Sequence, residues 1–397
     1  MFRKLFPTLA AGLMLGSIAA VFTACTDDDT YSLQYFYDRY GGEEEPDTPI
    51  VLSDTVAVAI VWNESGATVT GDTDSLTIKR GGTDSHVIIE SSINRYLEIT
   101  VSGQSAKGSL LVYGQHPWGL VLNGINLGNT DGPAINNQCS KWLYVTVADG
   151  SDNILEDGTE YATAPKNALN VDIDQKAAFF SEGEILFKGT GKLTVNGNGK
   201  NGIASDDYII LEDGDINVNI ASTGSNGIKV NDGMEILGGL LNISVASQGG
   251  RGIKNDKYMR ISGGETTIKT TGACRIETEN GVRDTTTAAG IKCDSVFTMT
   301  AGQLTITSSG DGGKGINSGD SVKVSGGKLT VVTTGSNKQG KPKGVKSDKI
   351  VILSGGTFDS KVNKSKACDS GGDDTPTIVG TPAKRSLNDT KHIYVEF

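Results

Sequence analysis

The sequence predicts an all-β fold, a parallel β-helix whose coils of about 25 residues each carry three short strands. A Gly followed by Ile or Val recurs six times from Gly202 to Gly344, at spacings of 25, 25, 38, 25 and 29 residues. Another glycine stands 12 residues after each of these six. Apolar and polar residues alternate between them, and no segment of the body keeps a helical period. These observations favour stacked strands over helices.

Each repeat supplies three strands, counted from its first glycine. The first strand covers positions 1 to 3, the second covers 7 to 9, and the third covers 14 to 16, with turns between them. The residues at position 7 are all apolar: Ile209, Met234, Met259, Phe297, Val322 and Val351. We expect them to stack inside the coils, and we expect the glycine at position 12 to form a corner with a left-handed or crowded backbone.

Longer intervals in the repeat predict loops that leave the coils. The 38-residue interval equals one coil plus 13 residues, placed within residues 274–288. Less regular copies of the repeat begin at Ala134 and Ala178, and a further excursion is predicted over residues 149–170. The repeat decays after Ser360, and an open solenoid end would template association with other chains. The sequence therefore predicts a β-helix domain over residues 51–360 and a C-terminal cap over residues 361–397.

The N-terminal residues 1–24 have the pattern of a bacterial lipoprotein signal peptide. Arg3 and Lys4 precede an apolar run over residues 9–22, which is shorter than the ~20 residues that span a bilayer. Residues 22–25 resemble a lipobox, so Cys25 is the predicted lipidation site; the alternative is an ordinary secretory signal with an incidental cysteine. Residues 26–29 resemble the acidic export tag of surface lipoproteins. We expect an outer-membrane lipoprotein exposed at the cell surface, with a lipid anchor as its only membrane contact.

Charge and composition exclude several classes of partner. Residues 25–50 are rich in acids and predict a disordered tether. The chain has 36 basic and 47 acidic side chains, a net charge of −11, which argues against nucleic acid as a partner. Its three histidines are scattered, which argues against a histidine-built zinc site or a catalytic triad. We expect a monomer, and no residue is singled out as catalytic.

Two charged rows are predicted on the outer face of the first strand. Position 2 carries Lys229, Lys254, Lys292 and Lys346, and position 4 carries Asp206, Asp256, Asp294 and Asp348. Two interpretations stay open. The rows neutralise each other as solvated ion pairs, or the aspartates bind Ca²⁺ between coils while the lysines contact an anionic sugar chain. The coil with Asn317 and Gly319 interrupts both rows.

Cysteine and tryptophan positions leave further alternatives. Cys139, Cys274, Cys293 and Cys368 remain in the predicted mature chain, and Cys274 with Cys293 either clips the excursion as a disulfide or both remain buried thiols. Trp118 and Trp142 either stack on a sugar or pack in the core.

The repeated Gly-Ile-Lys-x-Asp segments, followed by alternating apolar residues and Gly-Gly, resemble a family of secreted bacterial carbohydrate-binding proteins. The resemblance covers residues 51–360 and implies a right-handed parallel β-helix, shaped like a pectate lyase, that binds cellulosic glucans or polygalacturonate and carries calcium. By motif position, the outward acidic residues of the family fall on Asp206, Asp256, Asp294 and Asp348. The resemblance implies a non-catalytic polysaccharide-binding protein. The alternatives are a Ca²⁺-dependent polysaccharide lyase with Lys254 or Lys292 as base, and an adhesin or structural spacer.

Overall fold

The computed structural model describes residues 54–81, 85–279 and 282–397, which form a solenoid of parallel β-coils. The predicted signal peptide at residues 1–24, Cys25 and the tether at residues 25–50 lie outside the described residues. Within the described part there is no α-helix, and no helix is long and apolar enough to cross a bilayer. The all-β prediction is confirmed, and one strand per coil builds a sheet of 12 strands.

This 12-stranded sheet, called the first face, contains the first strand of each repeat. Its pairings are parallel apart from the N-terminal one, in which the first two strands form an antiparallel pair. The strands of the first face are Leu76–Gly81, His86–Ser91, Ser109–Tyr113, Ile135–Asn137, Ala177–Ser181, Asn201–Ser205, Ile228–Val230, Arg251–Asn255, Ala289–Cys293, Lys314–Ser318, Lys343–Ser347 and Lys366–Ser370.

The second and third strands of the coils form one sheet of 21 strands, because several strands run through the corner between the two faces. We call the part with positions 7 to 9 the second face and the part with positions 14 to 16 the third face. The strands of this sheet are Val56–Asn63, Gly66–Gly71, Leu97–Ser105, Trp118–Asn129, Leu143–Val147, Asp152–Asp157, Ile185–Lys188, Lys192–Gly197, Tyr208–Leu211, Asp215–Ile220, Gly233–Ile236, Leu240–Val245, Tyr258–Ile261, Glu265–Thr270, Phe297–Met299, Gln303–Ser308, Ser321–Thr333, Ile350–Val362, Thr377–Ile378, Lys384–Asp389 and His392–Glu396.

The core runs along the axis of the solenoid as stacks of identical positions. Met259 pairs with Met234 in the coil before it and with Phe297 in the coil after it, and all three are at most 1% exposed. The stack continues through Val322 and Val351, as the repeat predicts. Burying such a side chain stabilises the fold by roughly 1.5–3 kcal/mol. Each coil therefore depends on its neighbours for most of its apolar contacts.

The corner glycines have the predicted backbone. All six glycines at position 12 have positive φ, between 68° and 117°. At Gly264 an added Cβ would lie 2.5 Å from the carbonyl oxygen of Gly238 in the preceding coil. Glycine is required there for two reasons, because φ is left-handed and because the corners of successive coils are in close contact.

Two long excursions leave the coils in the part of the chain that the structure describes. The first is an antiparallel hairpin of strands Arg275–Glu279 and Val282–Thr286, within the predicted loop at residues 274–288. The other excursion, predicted over residues 149–170, begins later in the chain than the sequence suggests. Asp152–Asp157, assigned to an excursion from residue 149, is instead a third-face strand, parallel to Trp118–Asn129 and Lys192–Gly197. Its alternating buried residues Asn153 and Leu155 complete that coil, so the excursion starts at Gly158.

At the C-terminal end, antiparallel strands follow the last coil. Lys366–Ser370 is the last strand of the first face and lies beyond residue 360. His392–Glu396 pairs antiparallel with Ile350–Val362 and with Lys384–Asp389. Ile393 and Val395 of this strand are fully buried, so they extend the apolar interior by one layer.

Candidate functional site

The lysine row of the first face forms in the predicted register. Lys229, Lys254 and Lys292 are direct partners on three consecutive strands. Neighbouring strands lie about 4.8 Å apart, so the row presents one ammonium per coil. Asn317 takes the next position, and Lys346 follows it. The row is therefore continuous over three coils and interrupted once before its fourth lysine.

Most of these lysines bond to the aspartate two residues later. Lys254 Nζ lies 2.5 Å from Asp256 Oδ1. The pairs Lys292 with Asp294 and Lys346 with Asp348 repeat this contact in their own coils. The lysine side chains are only 23–25% exposed, because their stems lie along the strand. The rows are therefore interleaved pairs of opposite charge.

Lys229 has a different partner, because position 4 of its coil is Asn231. Its Nζ donates to Asn231 Oδ1 at 2.5 Å, and it lies 3.7 Å from Asp256 of the following coil. Lys229 therefore bridges two coils, whereas the other three lysines of the row bond to the aspartate of their own coil.

Asp206 lies in a separate carboxylate cluster with Asp174 and Glu182. One oxygen from each carboxylate lies within 4.8 Å of the others. Lys176 Nζ lies 2.5 Å from both Asp174 and Asp206, and Asn231 Nδ2 donates to Asp206 Oδ1 at 3.2 Å. Burial, and then the charges of Asp206 and Asp174, raises the pKa of Glu182 to about 7. Of the four predicted metal ligands, only Asp206 belongs to such a cluster among the described residues.

The other two members of this cluster were not predicted from the sequence. Glu182 occupies position 4 of the coil that begins at Ala178, so extending the acidic row by one coil would have found it. Asp174 comes from the end of the excursion, where no repeat signals its position.

Aromatic side chains occupy two environments. Trp118 is 1% exposed, and its Nε1 donates to Asn137 Oδ1 at 3.1 Å, so Trp118 packs in the core. Trp142 is half-buried and stacks on Tyr144, with ring centroids 6.2 Å apart and planes 21° from parallel. The ring centroid of Tyr96 lies 6.4 Å from that of Tyr144. The three rings form an aromatic group on the N-terminal coils.

The four described cysteines are buried and carry free thiols. Burial raises the pKa of Cys293 to about 11, which makes its thiol a poor nucleophile. The structure therefore has buried thiols where the sequence left a Cys274–Cys293 disulfide as an alternative.

Comparison with known proteins agrees with this architecture. The sequence profile of the carbohydrate-binding domain-containing protein family matches residues 83–257 and 242–337. A carbohydrate-binding domain-containing protein of Acetivibrio thermocellus is 34% identical over 99 residues, which are 25% of this chain and 33% of that relative. The match thus spans about a third of the length of the relative.

A solved structure has the same type of fold. It is described as the polysaccharide lyase-like protein from C. thermocellum, in a gadolinium derivative, and is 25% identical to this chain. The similarity has a TM-score of 0.52 and covers 69% of this chain and 100% of the other. The family profile covers well over half of the sequence, so the chain belongs to the family of carbohydrate-binding domain-containing proteins.

Proposed function

We propose that this chain is a cell-surface lipoprotein that binds an extended polysaccharide along its first face without cleaving it. The observation that carries the proposal is the register of Lys229, Lys254 and Lys292 on three consecutive strands. A linear row of identical groups suits a linear polymer with repeated groups. Several weak contacts then act together, because each bound sugar raises the effective concentration of the next.

The ion pairs within the row are compatible with an acidic polymer. Each ammonium has three donors, and the contact from Lys254 to Asp256 uses one of them. Such half-exposed pairs contribute about 0–1 kcal/mol, so a sugar carboxylate can share the lysine at small cost. Cellulosic and pectin-like glycans both remain candidates, and the row favours the acidic one.

Calcium is part of the proposal, at Asp174, Glu182 and Asp206. Their three carboxylates supply the oxygen ligands that Ca²⁺ prefers, within 4.8 Å of one another. Lys176 now neutralises two of them, so a bound ion would take over the role of that ammonium. The chemistry that Ca²⁺ would supply is neutralisation of these carboxylates and a bridge to a sugar carboxylate.

A non-catalytic role is favoured by the regular arrangement of the lysines. A catalytic base belongs to a local, asymmetric group of residues. Lys254 and Lys292 instead occupy equivalent positions, and each bonds to an equivalent aspartate. The lyase alternative makes a different prediction, the release of unsaturated sugar products.

Affinity electrophoresis tests the proposed function. The chain from Cys25 onward would migrate through gels containing a cellulosic glucan, polygalacturonate or no polymer, with Ca²⁺ or with chelator. We expect retardation in at least one polymer gel and no increase in the absorbance of unsaturated products. Absence of retardation in every gel would refute polysaccharide binding, and accumulation of unsaturated product would replace it with lyase activity.

A further inference from the structure

Two half-buried cations lie outside the lysine row. Arg251 and Lys314 stand directly before a Gly-Ile pair, at the first residue of their first-face strands. In the ladder, Arg251 pairs with Ala289, and Ala289 pairs with Lys314. A small side chain thus separates two long cationic ones, two coils apart.

Lys314 forms no ion pair with any residue that the structure describes. Its Nζ bonds to the hydroxyl of Thr287 at 3.2 Å. Burial lowers the pKa of Lys314 to about 8, a shift opposed by Cys274 and reinforced by the charges of Lys346, Lys343 and Lys292. An ammonium in such surroundings gains more from an anion than a solvated lysine does.

Arg251 has an unsatisfied donor. Its Nε is buried and has no hydrogen-bond partner, and its guanidinium forms no ion pair in the described part of the chain. Burial lowers the pKa of Arg251, and the charge of Asp294, a carboxylate that bonds to Lys292, opposes this effect. A buried donor without a partner destabilises the folded chain.

Both cations lie where the hairpin leaves the coils. Gly249, two residues before Arg251, is so close to Arg275 that an added Cβ would lie 3.1 Å from the Cβ of that arginine. Gly312, two residues before Lys314, would bring a Cβ within 2.9 Å of Cys274 Sγ. Cys274 and Arg275 begin the hairpin excursion, so its base borders both cations.

The equivalent lysines of the following coils are neutralised. Lys343 pairs with Asp369, and Lys366 pairs with Asp374. Those carboxylates have no counterpart beside Arg251 or Lys314 among the described residues. Among these four cations, only Arg251 and Lys314 lack an ion-pair partner within the described residues.

We propose that Arg251 and Lys314 form an anion subsite at the base of the hairpin, which binds a carboxylate or sulfate group of an acidic polysaccharide. The inference rests on the proposed function and deepens it, because it names the charged class of glycan and its anchoring residues. The two terminal nitrogens of the guanidinium form a fork that matches a carboxylate or sulfate group. Lys314 adds a single charge on the other side of Ala289.

The test compares Arg251→Gln and Lys314→Met with the control Lys328→Met, which removes the same charge from an exposed position of the third face. Affinity electrophoresis would use polygalacturonate, a sulfated galactan and a neutral cellulosic glucan. We expect each subsite variant to bind at least one charged polymer about tenfold more weakly, as loss of a charged hydrogen bond implies. The control should bind as the wild type does. The charged polymer that loses affinity identifies the anion.

Lys314→Arg and a melting curve separate a lost contact from a damaged fold. We expect Lys314→Arg to retain the affinity for the charged polymer, and Lys314→Met to melt no lower than wild type. Subsite variants that bind both charged polymers as tightly as wild type would overturn the subsite. Wild-type binding to the neutral glucan alone would overturn it while leaving the proposed function intact, and binding to none of the polymers would refute both.

Discussion

Lys254 Nζ lies 2.5 Å from Asp256 Oδ1, the residue that directly follows the first-face strand Arg251–Asn255. The coil repeat reproduces this relationship at Lys292 with Asp294 and at Lys346 with Asp348. Both predicted rows are thus satisfied internally, and the structure contains the ion pairs of the first interpretation. Whether the lysines also bind a glycan depends on how easily each ammonium can contact a sugar carboxylate while it keeps its aspartate.

Replacement of two lysines of the row tests that sharing. Lys254→Ala with Lys292→Ala should weaken binding to polygalacturonate by about tenfold, because two of the three consecutive ammonium groups are lost. The melting temperature should change little, since such half-buried, solvent-contacting pairs contribute about 0–1 kcal/mol each. Affinity electrophoresis and calorimetry would measure the two effects.

The matched control is Asp256→Asn with Asp294→Asn. This pair of substitutions frees the same lysines, so binding to the acidic polymer should be maintained or strengthened. Binding that survives the lysine double substitution unchanged would remove the row from the site.

Calcium should stabilise the chain through the cluster of Asp174, Glu182 and Asp206. An ion that binds only the folded state at about 100 times its dissociation constant adds about 2.7 kcal/mol to the free energy of unfolding. We therefore expect Ca²⁺ to raise the melting temperature and chelator to reverse the increase. Glu182→Gln with Asp206→Asn should abolish the effect, whereas Asp348→Asn, outside the cluster, should leave it. A melting temperature that is the same with and without Ca²⁺ would contradict calcium binding at this cluster.

A comparison of Gly264 with Gly150 distinguishes the stability cost of a left-handed backbone from the cost of close contact between coils. Their φ angles are 68° and 67°, but an added Cβ meets the carbonyl oxygen of Gly238 at 2.5 Å in the first case and nothing within 4 Å in the second. Gly150→Ala should cost roughly 1–2 kcal/mol from its left-handed backbone alone. Gly264→Ala should cost about 1–3 kcal/mol more, because the coils must move apart. Equal losses in chemical denaturation would show that the corner contact is unimportant.

Cys25→Ala tests the proposed lipid anchor. A single acylated residue is the only membrane attachment in the proposal, so this variant should leave the membrane fraction or accumulate as an uncleaved precursor. Thr26→Ala is the control and should fractionate with the membrane. Fractionation and the mass of the mature chain would measure the outcome, and an unchanged mass for Cys25→Ala would contradict lipidation.

The periodic features of the fold were predictable, and the non-periodic ones were not. Position 7 and the glycine corners follow from the sequence because each coil stacks on a copy of itself, so one physical requirement recurs six times. Asp174 joins its cluster from an excursion that has no such copies. Arg251 and Lys314 stand at the first residue of their strands, a position that the repeat fills with different residue types, so the repeat does not indicate that these two cations lack an ion-pair partner.

The depressed pKa of Lys314 makes a prediction about stability and pH. The folded pKa is about 8, against an ordinary value of 10.5 for the unfolded chain. Between these values the unfolded chain binds more protons, so this group makes the folded state more stable as pH rises from about 8 to 10.5. At pH 7 the charged, desolvated ammonium opposes folding.

Lys314→Met removes this penalty. The variant should unfold at a higher denaturant concentration than wild type at pH 7, and the difference should shrink as the pH approaches 10. Lys328→Met carries the same change at an exposed position and should show no such pH dependence. Unfolding midpoints at several pH values would measure both variants. A Lys314→Met variant that is less stable than wild type at pH 7, or a difference that grows with pH, would mean that the ammonium is already compensated within the protein.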